Sequence, residues 1–179
     1  DMSYLDHHAA TPGRPEGAEA MQAAIADLGA NPSSLHREGQ RVRAAVERAR
    51  EQVAALVNAK PAEVVFTSGG TEGDHLALVG GAWALRGRGR RVATSMIEHH
   101  AVHGAASWLR ELDFAEEHLA CGAAGYVDPT AIDDLPADTT VVSLMLANNE
   151  TGVVQPVAEA AHRAHELNMR LHCDAVQAA

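Results

Sequence analysis

The sequence is short of cysteine, of aromatic residues and of long apolar runs. Its two cysteines lie far apart among 179 residues, which does not make the disulfide framework of a small secreted domain. No apolar run approaches the roughly 20 residues of a membrane span, and the start lacks the basic and apolar regions of a signal peptide. We therefore expect a soluble, cytoplasmic protein.

The charge balance is acidic, with 14 Lys+Arg against 24 Asp+Glu and a formal net charge of −10. This balance argues against nucleic acid as the main partner. Hydrophobic residues make up 46% of the chain and charged residues 21%, which are the values of a globular protein. Because Trp, Tyr and Phe occur twice each, the core has to be built from Ala, Val and Leu.

Hydrophobic periodicity predicts helices alternating with strands. The helical patterns cover residues 15–28, 35–57, 71–86, 100–112 and 156–167, with a short helix over 129–135. The strand patterns cover residues 63–67, 91–95, 114–119, 140–146 and 169–173. This alternation indicates an α/β fold with a mostly parallel sheet and flanking helices.

Polar clusters follow four of the predicted strands. They are Thr67-Ser68-Gly69-Gly70-Thr71-Glu72, Glu98-His99-His100, Asn148-Asn149-Glu150-Thr151-Gly152 and His172-Cys173-Asp174-Ala175-Val176-Gln177. Ligands of open parallel sheets bind beyond the carboxyl ends of the strands, so we expect the clusters to share one rim. Each cluster by itself is also typical of an ordinary turn or helix cap.

Together, the four clusters offer a complementary set of groups. A glycine-rich helix start can hold an anion, an imidazole can cover a ring face or move a proton, and amides and a carboxylate can bind polar ring atoms. Pyridoxal 5'-phosphate needs such a set for its phosphate, ring face, ring oxygen and ring nitrogen. We assign no metal ligands, because no set of side chains has the spacing of a metal site.

Motifs with a common family pattern run along the whole chain. They are Tyr4-Leu5-Asp6 to Thr11-Pro12, Asn31-Pro32-Ser33-Ser34 with His36 and Gly39, Ala45-Val46-Glu47 with Ala49-Arg50, Phe66-Thr67-Ser68-Gly69 with Thr71-Glu72, Glu98-His99 with Ala101-Val102, Asn148-Asn149-Glu150, and Asp174-Ala175 with Gln177. In order and spacing they resemble the NifS/IscS-type cysteine desulfurases, of the class V aminotransferase family and fold type I of the pyridoxal-phosphate enzymes. The chain departs from the family pattern at Gly70, where alanine is usual, and at Asp74-His75, where asparagines are common.

The resemblance implies a role for six residues. Gly70 and Thr71 bind the cofactor phosphate, His99 stacks on the pyridine ring and moves protons as the catalytic residue, Asn149 contacts the cofactor and the substrate carboxylate, Asp174 pairs with the pyridine nitrogen, and Gln177 bonds the ring hydroxyl.

The resemblance also implies a longer enzyme, because family members are roughly twice this length. It divides the chain into an N-terminal arm, residues 1–15, which belongs with the family's small domain, and part of the large cofactor-binding domain, residues 16–179. The Schiff-base lysine, the persulfide-forming cysteine and the substrate-binding arginine of the family lie beyond this stretch. Lys60, the one lysine, lies in a polar connection, and Cys121 and Cys173 lie next to or inside predicted strands, so we give none of them these roles.

The resemblance thus implies a pyridoxal-phosphate-dependent cysteine desulfurase, which converts cysteine to alanine and keeps the sulfur as an enzyme-bound persulfide for transfer. This chain corresponds to the N-terminal half, which we expect to be inactive alone, with the lysine-bearing half on a second chain or lost by cleavage. The family pattern further implies a homodimer and a sulfur-acceptor protein, as in iron–sulfur cluster assembly. The alternatives are another class V aminotransferase or lyase reaction, or a non-catalytic fragment that binds a partner.

Overall fold

The computed structural model describes residues 11–176, which contain five α-helices and four β-strands. These are α1 (Pro15–Asp27), α2 (Arg37–Leu56), α3 (Gly70–Leu85), β1 (Arg91–Ser95), α4 (His100–Arg110), β2 (Ala115–Leu119), β3 (Thr139–Ser143), α5 (Val157–Glu166) and β4 (Arg170–His172). Two 3-10 helices span Pro61–Glu63 and Pro129–Ile132. Within the described residues, no helix combines the length and apolar character needed to span a membrane. The chain divides into two compact units, Thr11–Phe66 and the described residues from Thr67 onward.

The first unit consists of α1, α2 and the segment that follows them. Both helices were predicted by their apolar spacing, and the break between them falls at the predicted Asn-Pro-Ser-Ser sequence. Here the Asn31 Oδ1 accepts a hydrogen bond from the Ser33 backbone N–H at 2.8 Å, which stabilises the turn. α2 then begins after His36, whose Nδ1 accepts from the Gly39 N–H at 3.3 Å and so caps the helix.

The strand predicted over residues 63–67 is wrong. Pro61–Glu63 form a 3-10 helix, and the residues after it are extended but belong to no strand. The Arg50 side chain holds this segment, because it donates to the Val64 carbonyl and its guanidinium lies 5.0 Å from the centre of the Phe66 ring. A β-branched run becomes a strand only when a neighbouring strand pairs with it, and here α2 supplies the contacts instead.

The second unit is built on a parallel four-stranded sheet in the order β2-β1-β3-β4. Neighbouring residues on β1 and β3 point to opposite faces of the sheet. Val92 and Val141 pack in one core with residues of α3 and α4, whereas Ala93 and Val142 pack in a second core with residues of α5. Helices therefore cover both faces, as predicted, and all five residues of β3 are buried.

Two predicted elements of this unit differ from the prediction: one helix is a short 3-10 helix, and one strand ends earlier than expected. The helix predicted over 129–135 is the 3-10 helix Pro129–Ile132. The strand predicted over 140–146 ends at Ser143, because the Met145 N–H donates to the Glu98 carboxylate at 2.9 Å and not to a carbonyl of β1. The Leu146 N–H still donates to the Asp174 carbonyl at 2.9 Å, so the chain stays beside the segment after β4.

The α/β fold class is confirmed, and the sheet brings three of the four polar clusters to one edge. These clusters follow β1, β3 and β4, which are neighbours in the sheet. The first cluster does not follow a strand of the sheet, since the strand before it is absent, and it lies at the start of α3.

Candidate functional site

A cavity of about 550 Å³ lies at the carboxyl edge of the sheet. Its wall combines the segments after β1 and β3 with one glycine of the loop after β2. The lining residues are Met96, Ile97, Glu98, His99, His100, His103, Gly125, Asn148, Asn149, Glu150 and Thr151. Two of the predicted site residues, His99 and Asn149, therefore face the same space.

His99 caps α4 with its own ring. Its Nδ1 accepts a hydrogen bond from the Ala101 backbone N–H at 3.2 Å. Because Nδ1 acts as an acceptor, the neutral imidazole carries its proton on Nε2. The centre of the His100 ring lies 3.8 Å away, at an interplanar angle of 43°. The cap thus fixes both the orientation and the tautomer of a half-buried histidine that lines the cavity.

The two consecutive asparagines have different environments. Asn148 orders the loop, because its Oδ1 accepts from the backbone N–H groups of Glu150 and Thr151 at 3.1 and 2.9 Å. Its Nδ2 donates to the Ile97 carbonyl at 3.0 Å, which ties the segment after β3 to the segment after β1. Asn149 is half-buried and lines the cavity. The loop built by Asn148 therefore presents the Asn149 side chain to a ligand.

Asp174 is buried just beyond β4. Its Oδ1 accepts from the Val176 backbone N–H at 3.0 Å and closes a short turn. The negative charge of Asp174 raises the pKa of two further buried carboxyl groups, those of Asp74 and Glu98, although burial is the larger cause for both. The end of β4 is therefore the centre of a buried acidic cluster.

The start of α3 lies against the segment after β4. A Cβ built on Gly70 would stand 2.8 Å from the Val176 Cγ2, so the close approach requires glycine at this position. Gly69 provides no side-chain cap, and Thr71 lies exposed on the first turn. The Glu72 carboxylate accepts from the Ser68 hydroxyl and backbone N–H, which lowers the pKa of Glu72. An N-terminal turn without a side-chain cap is a general anion-binding feature of helices.

The structure brings together only part of the predicted set. His99 and Asn149 share the cavity, whereas Gly70 contacts Val176, two residues beyond Asp174. Gly70, Thr71 and Asp174 are not part of the cavity wall. Gln177 lies outside the described residues.

Three largely buried polar residues to which the sequence analysis gave no role also belong to this region. They are Asp74, Glu98 and His172. Asp74 shares the buried face of α3 with Leu78 and Ala82, which follow it at intervals of four residues. The sequence could have indicated its burial, because a carboxylate at helical spacing from apolar residues lies on the same face as they do.

Glu98 is the most completely buried acid at the cavity. Its Oε1 accepts from the Ser95 hydroxyl and the Met145 N–H, both at 2.9 Å. Its Oε2 is buried and has no hydrogen-bond partner among the described residues. Burial raises the pKa of Glu98 to about 7, with the charge of Asp174 contributing in the same direction. Glu98 can therefore hold or release a proton near neutral pH.

The sequence analysis gave Cys173 no sulfur-transfer role and Lys60 no Schiff-base role, and their environments agree with this. Burial raises the pKa of the Cys173 thiol to about 11, with Glu98 and Asp174 contributing, so the thiol stays protonated and weakly nucleophilic. Lys60 is exposed in the first unit. In the part of the chain that the structure describes, no group of three or more His, Cys, Asp or Glu side chains is arranged to hold a metal ion.

Replacing Glu98 with glutamine should change how stability depends on pH. The folded protein holds the Glu98 proton up to about pH 7, whereas the unfolded chain releases it near the ordinary glutamate pKa of 4.5. The stability contributed by the neutral acid is therefore complete below pH 4.5 and is lost as the pH rises to 7. Glutamine does not titrate, so Glu98→Gln should not lose this stability. The unfolding free energy of Glu98→Gln minus that of wild type should therefore rise by about 2–3 kcal/mol from pH 4 to pH 8.

Urea denaturation of the full-length protein at both pH values measures this difference. Glu150→Gln is the matched control, because Glu150 lines the same cavity but is exposed. A stability difference between Glu98→Gln and wild type that does not vary with pH would contradict the assignment of Glu98 as a buried neutral acid.

Known proteins of one family match this chain over almost its whole length. The family model described as "Aminotransferase class-V" matches residues 3–179. A cysteine desulfurase IscS of Dictyoglomus turgidum is 42% identical over 175 residues, covering 97% of this chain and 44% of that protein. An IscS-like cysteine desulfurase of Mycobacterium tuberculosis is 44% identical over 184 residues, covering 99% and 47%. The chain spans about half the length of the curated relatives it matches.

Solved structures with the same fold include proteins with related descriptions. One described as a NifS-like protein matches with a TM-score of 0.90 and 33% identity, covering 97% of this chain and 49% of that one. DndA from Streptomyces lividans matches with a TM-score of 0.83 and 40% identity, covering 98% and 50%. A structure described as SspA in complex with cysteine matches with a TM-score of 0.91 and 31% identity, covering 99% and 51%.

Proposed function

Since this chain belongs to the class V aminotransferase family, we propose that it forms the cofactor-binding part of a pyridoxal-phosphate-dependent cysteine desulfurase. The enzyme converts cysteine to alanine and transfers the sulfur through a persulfide. The curated relatives described as cysteine desulfurases, and the solved neighbour described as a complex with cysteine, support this substrate over the other reactions of the family.

The contact between the start of α3 and the segment after β4 carries this proposal. It puts an N-terminal turn without a side-chain cap next to Val176, which is hydrogen-bonded to the buried Asp174 carboxylate. A phosphate needs N–H donors and a positive helix end, and a protonated pyridine nitrogen needs a carboxylate. The glycine at position 70 leaves the space at this contact that a Cβ would fill. The chemistry of this donor set supports pyridoxal phosphate as the ligand.

The proposed roles follow the chemistry of each side chain. Gly70 and Thr71 bind the phosphate at the start of α3, Asp174 holds the pyridine nitrogen, His99 covers the ring and exchanges protons, Asn149 binds the cofactor and the substrate carboxylate, and Gln177 bonds the ring hydroxyl. The Nε2 proton of His99 and the half-buried amide of Asn149 support these two assignments.

Bound pyridoxal phosphate would supply the electron sink that stabilises negative charge on the amino acid. The chain's own contribution is a buried carboxylate, Asp174, which would hold the ring nitrogen, and an imidazole, His99, which its helix cap orients at the cavity. The buried network around Glu98 and the surrounding apolar segments limit the access of water to the acids behind the cavity.

The lysine that attaches the cofactor is proposed to lie outside this sequence. Lys60 is the one lysine of the chain, and it is exposed near Pro61–Glu63 in the first unit. A lysine that reacts with a carbonyl needs a lowered pKa, which burial provides and exposure does not. The partners in this proposal are the segment that carries the lysine, a second protomer and a sulfur-acceptor protein.

Sulfide and alanine formation from cysteine by the full-length, cofactor-loaded protein tests the proposed function. We expect His99→Ala to retain most of its cofactor and to lose roughly 10²- to 10⁴-fold in turnover, since proton transfer is lost while the phosphate and ring-nitrogen contacts remain. His165→Ala, which changes an exposed histidine of α5, is the matched control.

Two results would count against the proposal. Wild-type turnover by His99→Ala would remove this histidine from the chemistry. Transfer of an amino group from cysteine or another amino acid to a keto acid, without sulfide, would favour a different class V reaction.

A further inference from the structure

Three buried side chains from three different elements form a line behind the cavity. The Asp74 Oδ1 of α3 lies 3.5 Å from the His172 Nε2 of β4, and the His172 Nδ1 lies 2.9 Å from the Ser143 Oγ of β3. The side chains of Asp74 and His172 are 7% and 11% exposed, and Ser143 is fully buried. Burial lowers the pKa of His172, so its imidazole is neutral and can accept at one nitrogen while it donates at the other.

The line continues to Glu98 at the cavity wall. The Glu98 Oε2 is buried and has no hydrogen-bond partner among the described residues, so it is free to accept from a neighbouring hydroxyl. The Ser143 hydroxyl lowers the pKa of Glu98, against the larger effect of burial, which identifies Ser143 as that neighbour. Glu98 lines the cavity, whereas Asp74 lies on the buried face of α3. A hydroxyl and an imidazole therefore lie between two buried carboxyl groups, and each of them is able both to donate and to accept a hydrogen bond.

We propose that Glu98, Ser143, His172 and Asp74 form a proton relay that carries one shared proton between the cavity and α3. This inference rests on the proposed function for the use of the proton, which serves the proton transfers in the cavity beside His99. Ser143, His172 and Asp74 are positioning residues in this relay, since they act on the cavity through Glu98.

The relay has two end states with the same number of protons, which differ in whether Asp74 or Glu98 holds the shared proton. In the first, the Asp74 carboxyl donates to the His172 Nε2, the Nδ1–H donates to the Ser143 Oγ, and the Ser143 hydroxyl donates to the Glu98 carboxylate. In the transfer, the proton of Asp74 passes to Nε2, the Nδ1 proton passes to the Ser143 Oγ, and the Ser143 proton passes to Glu98. Each group except the two ends loses one proton and gains one, so the neutral histidine changes tautomer without changing charge.

The two carboxyl groups at the ends of the relay have similar pKa values, which allows such an exchange. Burial raises the pKa of Asp74 to about 6 and that of Glu98 to about 7, and the charge of Asp174 contributes to both. The other titratable groups that act on these carboxyls are His75 on α3 and Cys173 after β4. Cys173 stays protonated throughout this range, because the pKa of its thiol is about 11. The proton can therefore reside at either end near neutral pH.

The tautomer of His172 in the cofactor-free protein tests the relay directly. Nitrogen NMR of the imidazole should show both tautomers in wild type, in proportions that change between pH 5 and 8. Glu98→Gln should lock the Nε2–H form, because the glutamine amide donates to Ser143, whose hydroxyl then donates to Nδ1. A wild-type histidine held in one tautomer across this pH range would overturn the relay.

Ser143→Ala interrupts the line, and Thr140→Val is its control. Thr140 is a buried hydroxyl residue on the same strand that donates to the Arg91 carbonyl at 3.1 Å and is not part of the relay. In the full-length protein with cysteine and pyridoxal phosphate, Ser143→Ala should lower kcat about tenfold at unchanged KM and shift the pH profile. Thr140→Val should do neither. An unchanged kcat and pH profile in Ser143→Ala would overturn the use of the relay in the reaction.

The two measurements separate this inference from the proposed function. If the full-length protein produces no sulfide and binds no pyridoxal phosphate, the proposed function fails, and the NMR titration still decides whether His172 exchanges a proton between Asp74 and Glu98. If wild type is active and its His172 tautomer is fixed, the relay fails and the proposed function stands.

Discussion

Asp174→Asn in the full-length protein is expected to lose both cofactor retention and turnover. The substitution removes the charge, but its Oδ1 can still accept from the Val176 N–H, so the turn after β4 is preserved. A charged hydrogen bond contributes about 1.5–3 kcal/mol, which corresponds to roughly a 10- to 150-fold loss of affinity for pyridoxal phosphate. Turnover should fall further, because a neutral partner no longer favours the protonated pyridine nitrogen on which the electron sink depends.

Equilibrium dialysis and sulfide release measure the two losses separately. Asp134→Asn, which neutralises an exposed aspartate after the 3-10 helix Pro129–Ile132, should behave as wild type. Asp174→Ala should show the same losses and additionally lower stability, because the Val176 N–H loses its acceptor. Sulfide release near the wild-type rate by cofactor-loaded Asp174→Asn would refute the assignment of Asp174 to the pyridine nitrogen.

The same substitution has a second, independent consequence. The charge of Asp174 raises the pKa of Asp74 and of Glu98. Its removal should therefore lower the pKa of both carboxyl groups and move the tautomer change of His172 to lower pH. Carbon NMR of the carboxyl groups measures this shift without cofactor. Unchanged midpoints in Asp174→Asn would show that these three acids are not electrostatically coupled.

Gly89→Ala is expected to destabilise the fold by about 3 kcal/mol. A Cβ at this position would overlap the Asp138 carbonyl oxygen and would stand 2.7 Å from its carbonyl carbon. These are backbone atoms that cannot rotate away. Asp138 immediately precedes β3, which pairs with β1, and its Oδ1 accepts from the Arg91 Nε at 2.9 Å. Relieving the clash therefore requires a shift between two central strands.

Gly87→Ala provides a matched control two residues earlier. A Cβ at Gly87 meets no atom within 4 Å, so this substitution should change stability by less than about 0.5 kcal/mol. Thermal and urea denaturation of the two variants of the full-length protein compare them directly. Equal stabilities would show that β1 and β3 accommodate the added methyl group, contrary to the close contact at Gly89.

Periodicity in the sequence predicted most of the elements because it records which face of each element is buried. The stripe of α2 and the apolar run of β1 were recognisable from local sequence, and β1 occupies the predicted residues 91–95. Residues 63–67 and 144–146 have the same local character as strands and do not form them. Strand formation also needs pairing with a neighbouring strand. Arg50 replaces that pairing at Val64, and the Glu98 carboxyl replaces the pairing with β1 at Met145, although Leu146 still donates to the Asp174 carbonyl.

The sequence by itself determined the α/β class, the family and the polar clusters at three strand ends, since these depend on local pattern and on motifs in chain order. The tertiary structure alone decided which acids carry protons. Asp74 and Glu98 precede Asp174 by 100 and 76 residues along the chain. Only the packing of α3 with the segments after β1 and β4 brings the three carboxyl groups into one buried cluster, where burial and the charge of Asp174 raise the pKa of Asp74 and of Glu98.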